Sequence, residues 1–390
     1  MLKGGVPTIS FRGLAIQKRE NDLVAASFGR SFYVLDDYSV LREITQENLK
    51  AEATLFAVRD AWWYVPRSIV SNQGAGYYQA PNPPFGAVFT YHLADGLKTL
   101  KDVRKEREKE LTKDGKGIPF PGWDAIEVER RQEKPKITLT VKDSNGSVVQ
   151  NIDGATSKGM HRVNWNLRYT SKNAIRLHTP PQTGFRFGQS SRGMLATPGT
   201  YTVTLSKQVD GVITMLSEPI SFVVKPLRKG ALEGASYSEL TASREELEKL
   251  QGAISASSFM LNNNLDKVKA METALSRLNT ESSALVTALY KVKQRLLDLD
   301  QEMNRHRAKQ EIGERSASNV RSRMSVGIRG MNTTYGPTKM HRESMAIANS
   351  QFADIKARLE MITNEDIPAL EKSLIAAGAP YIEGQAIPKN

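Results

Sequence analysis

Apolar residues recur at every seventh position between Leu240 and Met303, over about nine repeats. Such a repeat is typical of a coiled coil or of the long helices of a bundle. Polar residues interrupt the seam, so we do not expect it to be buried along its whole length. The apolar positions are Leu240, Leu247, Leu250, Ile254, Leu261, Val268, Met271, Leu275, Leu278, Leu285, Leu289, Val292, Leu296, Leu299 and Met303, and the interruptions are Ser243, Ser257, Asn264 and Ser282.

This seam leaves two architectures open. A single helix over residues 240–303 would be about 95 Å long, and its apolar stripe would need a partner chain. A break near Thr280 would instead give a hairpin, which we favour because weak positions cluster there. A further apolar repeat starts at about Thr338, so the economical prediction for residues 236–380 is a long antiparallel helical bundle. A linker at 227–235 precedes it and a tail at 381–390 follows it.

The first 226 residues show the period-two alternation of β-strands. Residues 77–226 carry six strand candidates, separated by turn signals such as the Asp143–Gly146 stretch and Asp210-Gly211. Strands at this spacing predict a β-sandwich. A charged insertion at residues 97–135 interrupts it.

Residues 1–76 also predict strands. In RSFYVLDD, Phe32 and Val34 lie on one face and Tyr33 and Leu35 on the other. Three short strands cannot cover both of their faces or protect their edges alone. We therefore interpret this segment as part of a larger β-structure.

One stretch resembles a known family. RENDLVAASFGRSFYVLDDYSVLRE is similar to the closing blade of the sortilin-like, BNR-type β-propellers of bacterial proteins often labelled glycosyl hydrolases. The Asp-box signature of those repeats, S/T-x-D-x-G-x-x-W, does not occur in the chain. The resemblance implies that residues 1–76 hold the closing strands of a truncated propeller and a linker. It also implies that this chain contacts the missing N-terminal blades of the parent propeller. The parent protein would then be periplasmic, cell-surface or secreted.

A second resemblance covers most of residues 80–226. The order of cues is similar to the immunoglobulin-like domain of the flagellar hook-capping type, and the insertion at 97–135 is the departure from it. The matching stretches are Asn82–Phe85, Val141–Asp143, Asn145-Gly146, Gly159–Trp165 and Pro198–Tyr201. The resemblances and the helical seam together predict a multidomain β plus α protein with terminal propeller strands, an immunoglobulin-like sandwich and a helical bundle.

Composition excludes several function classes. The 390 residues include no cysteine, which excludes disulfides and thiolate chemistry, and no apolar run is long enough to span a membrane. The start of the chain lacks the apolar core of a signal peptide. The net charge is +12, but residues 98–134 interleave eleven Lys/Arg with nine Asp/Glu. This excess of positive charge is interpreted as thinly spread, so nucleic-acid binding is not expected.

The candidate contact residues are aromatic or basic. Trp62, Trp63 and Tyr64 could stack against sugar rings, although core packing at a domain junction is favoured. The long connection at 169–197 carries three arginines among Gly, Pro and Ser and could bind a polyanion; they are Arg176, Arg186 and Arg192. The pair Asp36-Asp37 is not favoured as glycosidase carboxylates, because adjacent strand residues point to opposite faces.

No catalytic residue, metal site or cofactor site is predicted, since the five histidines lie far apart without zinc-binding spacing. The favoured hypothesis is a non-catalytic structural or interaction module of a larger exported propeller protein, with a protein or carbohydrate partner in addition to the other blades. One alternative is a fragment of a glycoside hydrolase whose active site lies in those blades. A second is polyanion binding through the basic connection at 169–197.

Overall fold

The structure is a computed structural model of mixed β and α type. The chain divides into two compact units, one formed by Met1–Thr170 and Ala196–Arg228 and the other by Ser171–Leu195 and Lys229–Asn390. The structure describes residues 8–29, 31–66, 80–177, 192–231, 233–279, 282–304 and 306–386.

The first unit begins with a three-stranded antiparallel sheet in the order β1-β2-β3. Its strands are β1 (Phe11–Gln17), β2 (Asp22–Ser27) and β3 (Phe32–Leu35). The turn between β1 and β2 places Asn21 at φ 57°, a left-handed conformation that asparagine tolerates better than most residues. A 3₁₀ turn at Ser39–Arg42 and the short helix α1 (Gln46–Lys50) follow.

Two further sheets face each other in this unit. A six-stranded sheet has the order β5-β14-β12-β7-β8, with β13 also paired to β12, and a three-stranded sheet has the order β4-β6-β9. The strands of these two sheets are β4 (Ala53–Leu55), β5 (Ala61–Trp63), β6 (Ala87–Leu93), β7 (Lys136–Asp143), β8 (Val148–Gly154), β9 (Gly159–Trp165), β12 (Gly199–Val209), β13 (Val212–Met215) and β14 (Ile220–Pro226). Two short strands belong to neither sheet: β10 (Arg168–Thr170) in the first unit and β11 (Arg192–Leu195) in the second.

Aromatic side chains from the two sheets meet in the core. The ring of Phe89 on β6 lies 5.5 Å from that of Phe222 on β14, and the ring of Trp165 on β9 lies 5.0 Å from that of Tyr201 on β12. Both predicted hairpins are present: β7 turns into β8 through Gly146 at φ 79°, and β12 turns into β13 through the Asp210-Gly211 pair. The charged insertion folds into α2 (Leu100–Lys113) and α3 (Trp123–Arg131), neither of which has a buried residue.

The second unit is helical. Its long helices are α4 (Tyr237–Leu275), α5 (Ser283–Met303) and α8 (Lys339–Met361), and its shorter ones are α6 (Arg307–Glu311), α7 (Val320–Met331) and α9 (Ile367–Ala376). A π-helical turn at Ile362–Asp366 joins α8 to α9, and Pro368 lies in the first turn of α9.

The break favoured near Thr280 falls between α4 and α5, although Thr280 itself lies outside the described residues. Lys293 Nζ donates to Glu272 Oε1 at 2.7 Å, which joins positions on either side of the break. The two helices therefore fold back on each other instead of forming one rod. None of the helices in the described ranges has the length and apolar character needed to cross a membrane.

The apolar seam lines the core of the helical unit, and, as expected, it is not buried along its whole length, because Ser243 and Ser282 are only half-buried. Ser257 and Asn264 interrupt the seam in sequence, yet both are buried. Asn264 is accommodated because its Nδ2 donates to Thr363 Oγ1 at 2.7 Å, on the π-helical turn. A local widening of the facing helix thus supplies the polar partner that a buried amide requires.

Candidate functional site

The sheet formed by β1, β2 and β3 has an unusual surface. Residues directly opposite each other in antiparallel strands share a face. The pairings Leu14 with Ala25 and Ala25 with Tyr33 define face one, which also holds Ile16, Leu23 and Leu35. The pairings of Val24 with Ala15 and with Val34 define face two, which also holds Ala26 and Phe32. Both faces are therefore apolar.

Neither face is covered by the residues that the structure describes. No residue of β1, β2 or β3 is buried. Leu14 on face one is 70% exposed, and Phe32 on face two is 69% exposed. Proteins rarely leave contiguous apolar patches open to water unless the patch contacts something. Two such faces on one thin sheet make the sheet a candidate for docking, and we call it the docking sheet (residues 11–35).

The Glu20 carboxylate anchors the docking sheet at its β1–β2 turn. It accepts hydrogen bonds from Arg59 Nη1 at 2.8 Å and from the Trp62 indole Nε1 at 3.0 Å. Arg59 Nη1 also donates to the Glu20 carbonyl oxygen at 2.6 Å. Glu20 is only 16% exposed at its side chain, so these charge-assisted bonds form where water screens them less.

A second anchor lies where β3 ends. Asp22 Oδ1 accepts from the Asp37 backbone N–H at 3.0 Å, and Asp37 adopts φ 42°. Arg162 lies on β9 of the three-stranded sheet β4-β6-β9. It donates to the carbonyl oxygen of Asp36 at 2.9 Å and to that of Asp37. Polar contacts thus hold one end of the docking sheet, while its apolar faces stay open.

The Asp36-Asp37 pair takes part in these local contacts. Ser39 Oγ donates to Asp37 Oδ1 at 2.6 Å, so this carboxylate closes a local turn. Burial, together with the nearby Asp22 carboxylate, raises the pKa of Asp36 above its usual value. Within the described ranges, no group of His, Asp or Glu is arranged to hold a metal ion.

The three aromatic residues predicted as contacts have different environments. Trp63 is buried and its Nε1 donates to the Ala196 carbonyl oxygen at 2.8 Å. Trp62 uses its indole N–H on Glu20, and Lys225 Nζ lies 4.8 Å from its ring centroid. Tyr64 is partly exposed, with its ring 4.8 Å from that of Phe85. They do not form one flat platform.

Two of the three arginines predicted as contacts, Arg176 and Arg192, lie in the described part of the second unit. Arg176 places its guanidinium 4.7 Å from the ring centroid of Phe259 on α4. Arg192 lies on β11, and nothing is described of its side chain. Arg186 lies outside the described residues, as do all of residues 178–191 of the basic connection.

Sequence reasoning identified the two-faced strands but missed their anchors. Glu20, Arg59 and Arg162 are single charged residues far apart along the chain, and no motif links them. The only available signal was the charged turn itself, which interrupts two apolar strands. No protein-family model, curated protein or solved structure matches this chain.

Replacing Glu20 with Gln should loosen the docking sheet locally. The amide cannot form the ion pair with Arg59, so we expect the opening free energy of β1–β3 to fall by about 1.5 kcal/mol. Hydrogen exchange of the backbone amides measures this residue by residue. The matched control is Glu52→Gln, which removes the ion pair between the exposed Glu52 and Lys207 and should cost less than about 0.5 kcal/mol. Equal exchange in both variants would contradict the anchoring role.

Proposed function

We propose that this chain is a non-catalytic structural module of a larger exported β-propeller protein, and that it inserts its docking sheet between neighbouring sheets of the propeller. The observation that carries this proposal is the exposure of apolar side chains on both faces of the docking sheet. The similarity of the β2–β3 stretch to a closing propeller blade also supports this proposal.

The two-sided character of the sheet favours sheet neighbours over other occupants. A lipid surface or a single helix would cover one face and leave the other in water. Sheets that pack face to face lie about 10 Å apart and interdigitate side chains from both sides. A thin sheet that is apolar on both faces therefore suits a position between two other sheets, as a blade has in a propeller.

The rest of the chain supports a bracing role. The facing sheets that meet at Trp165 and Tyr201 suit an immunoglobulin-like sandwich, and the long seam of α4 suits an antiparallel bundle. Arg59 and Arg162 connect the docking sheet to this sandwich through hydrogen bonds. In the proposal, the sandwich fixes the docking sheet in place, and the helices present or brace the assembly.

Lysine substitutions on the two faces test the proposal. We expect Leu14→Lys and Phe32→Lys each to cost less than about 0.5 kcal/mol in this chain alone, because both side chains are already exposed. In the full-length protein encoded by the same reading frame, each should cost about 2–3 kcal/mol, because the lysine would replace a buried apolar contact. Chemical denaturation of both proteins gives these free energies of unfolding.

Ile213→Lys is the control, because Ile213 is equally exposed on β13 and should tolerate lysine in both proteins. A full-length protein that is sensitive on only one face, or on neither, would overturn the proposed insertion. Glycoside hydrolysis by this chain alone, abolished by Asp36→Asn, would instead favour an enzyme.

A further inference from the structure

The positive charge of the chain is less evenly spread than its sequence first suggested. Residues 305–342 contain nine Lys/Arg and only two Asp/Glu. This stretch runs from the end of α5 through α6 and α7 to the start of α8. Several of these cations have carboxylate partners, such as Arg307 with Asp300 and Lys309 with Glu314. Arg321 differs from them in its surroundings.

Arg321 is a partly buried cation without an ion pair to any residue that the structure describes. Its Nη2 donates to the hydroxyl of Ser258 on α4, and its Nε finds no hydrogen-bond partner in the described part of the chain. Among the described residues, no carboxylate lies within ion-pair distance of it. Burial lowers the pKa of its guanidinium, although the field of Asp300 opposes this effect. A charge withdrawn from water in this way costs free energy unless a counterion approaches it.

The nearest carboxylate in this region is already occupied. Asp300 is 7% exposed and uses both of its oxygens, one to accept from Asn304 Nδ2 at 2.7 Å and the other from Arg307 Nη2 at 3.1 Å. Arg307 therefore neutralises Asp300, so Asp300 is not available as the counterion of Arg321. Arg307 is itself 77% exposed at its side chain and spends one N–H on this contact.

A cavity of about 400 Å³ lies between these groups. Its walls come from the end of α5, from α6 and from the first turns of α7, and they include Asp300, Asn304, Arg307, Gln310 and Arg321. This volume falls in the range of small-molecule sites. The N-terminus of the twelve-residue helix α7 also borders it, and the helix dipole there adds partial positive charge.

We propose that this cavity binds a small oxyanion, a phosphate or carboxylate group, between the guanidinium groups of Arg307 and Arg321. Guanidinium groups suit such anions because their planar N–H donors match pairs of oxygens on one group. The bound anion supplies the counterion that Arg321 lacks. The ligand that carries it is a phosphate ester or a small carboxylic acid, since the cavity is larger than a bare ion.

Calorimetric titration at constant ionic strength tests this site. Inorganic phosphate, sulfate and citrate are the probes, each titrated into the whole chain. We expect saturable binding of at least one of them, and the ranking of phosphate against citrate tells a phosphate-type site from a carboxylate-type site. Arg307→Gln should weaken binding about tenfold, and Arg321→Met should weaken it further, because each removes a charge-assisted contact.

Arg329→Gln is the matched control, because Arg329 is exposed on the same helix α7 but does not line the cavity. It should leave the dissociation constant within about twofold, as expected for a charge outside the site. Arg307→Gln keeps the proposal testable if Arg321→Met fails to fold, since the Arg307 side chain is largely exposed. The proposal is overturned if none of the three anions binds, or if the control variant weakens binding as much as Arg307→Gln does.

Discussion

Leu261→Ala should lower the free energy of unfolding of the helical unit by about 3 kcal/mol. Leu261 lies at the centre of the seam on α4, is 1% exposed and belongs to the core shared by α4, α5 and α8. Truncation removes buried methyl groups and leaves a cavity, and substitutions of this kind cost about 2–5 kcal/mol. The helical signal in circular dichroism follows this unit, because α4 to α9 supply most of the helix.

Met260→Ala is the matched control for Leu261→Ala. The two residues are adjacent on the same helix, but Met260 is 37% exposed. Alanine favours helix slightly more than methionine does, so the control should change the free energy of unfolding by less than about 0.5 kcal/mol. Equal losses in both variants would mean that the seam does not mark the buried face of α4.

The seam illustrates what local pattern can predict. Apolar residues at helical spacing share one face of a helix, and that face packs against a neighbouring helix. Leu247, Leu261 and Leu296 were therefore correctly expected in the core. The same holds for strands that alternate, and for the hairpin at Gly146, whose conformation depends on a few neighbouring residues. The two apolar faces of β3 were also predicted, because Phe32 and Val34 alternate with Tyr33 and Leu35.

Interactions between residues distant in sequence could not be read in this way. Asn264 looked like an interruption because its partner, Thr363, lies 99 residues away on a π-helical turn that no local signal predicted. The anchor of Glu20 depends on Arg59, 39 residues away, and the unpaired charge of Arg321 depends on what surrounds it. Only the packed chain decides whether a polar residue has a partner.

Gly86→Ala should destabilise the first unit severely, with a cost of more than about 3 kcal/mol. Gly86 precedes β6 at φ 116°, a conformation that L side chains rarely adopt. A Cβ atom there would lie 1.9 Å from the carbonyl oxygen of Trp165, on the paired strand β9. The two strands would have to separate at the end where the Trp165 ring packs against Tyr201.

Two control variants divide this cost into its parts. Gly199→Ala adds a Cβ into open space without positive φ and should be nearly neutral, whereas Gly146→Ala adds one into open space at φ 79° and should cost about 1–2 kcal/mol. The excess of Gly86→Ala over Gly146→Ala then measures the clash with β9. Tryptophan fluorescence reports this unit selectively, because all four tryptophans belong to it. Equal costs for Gly86→Ala and Gly146→Ala would show that the backbone of β9 can move aside freely.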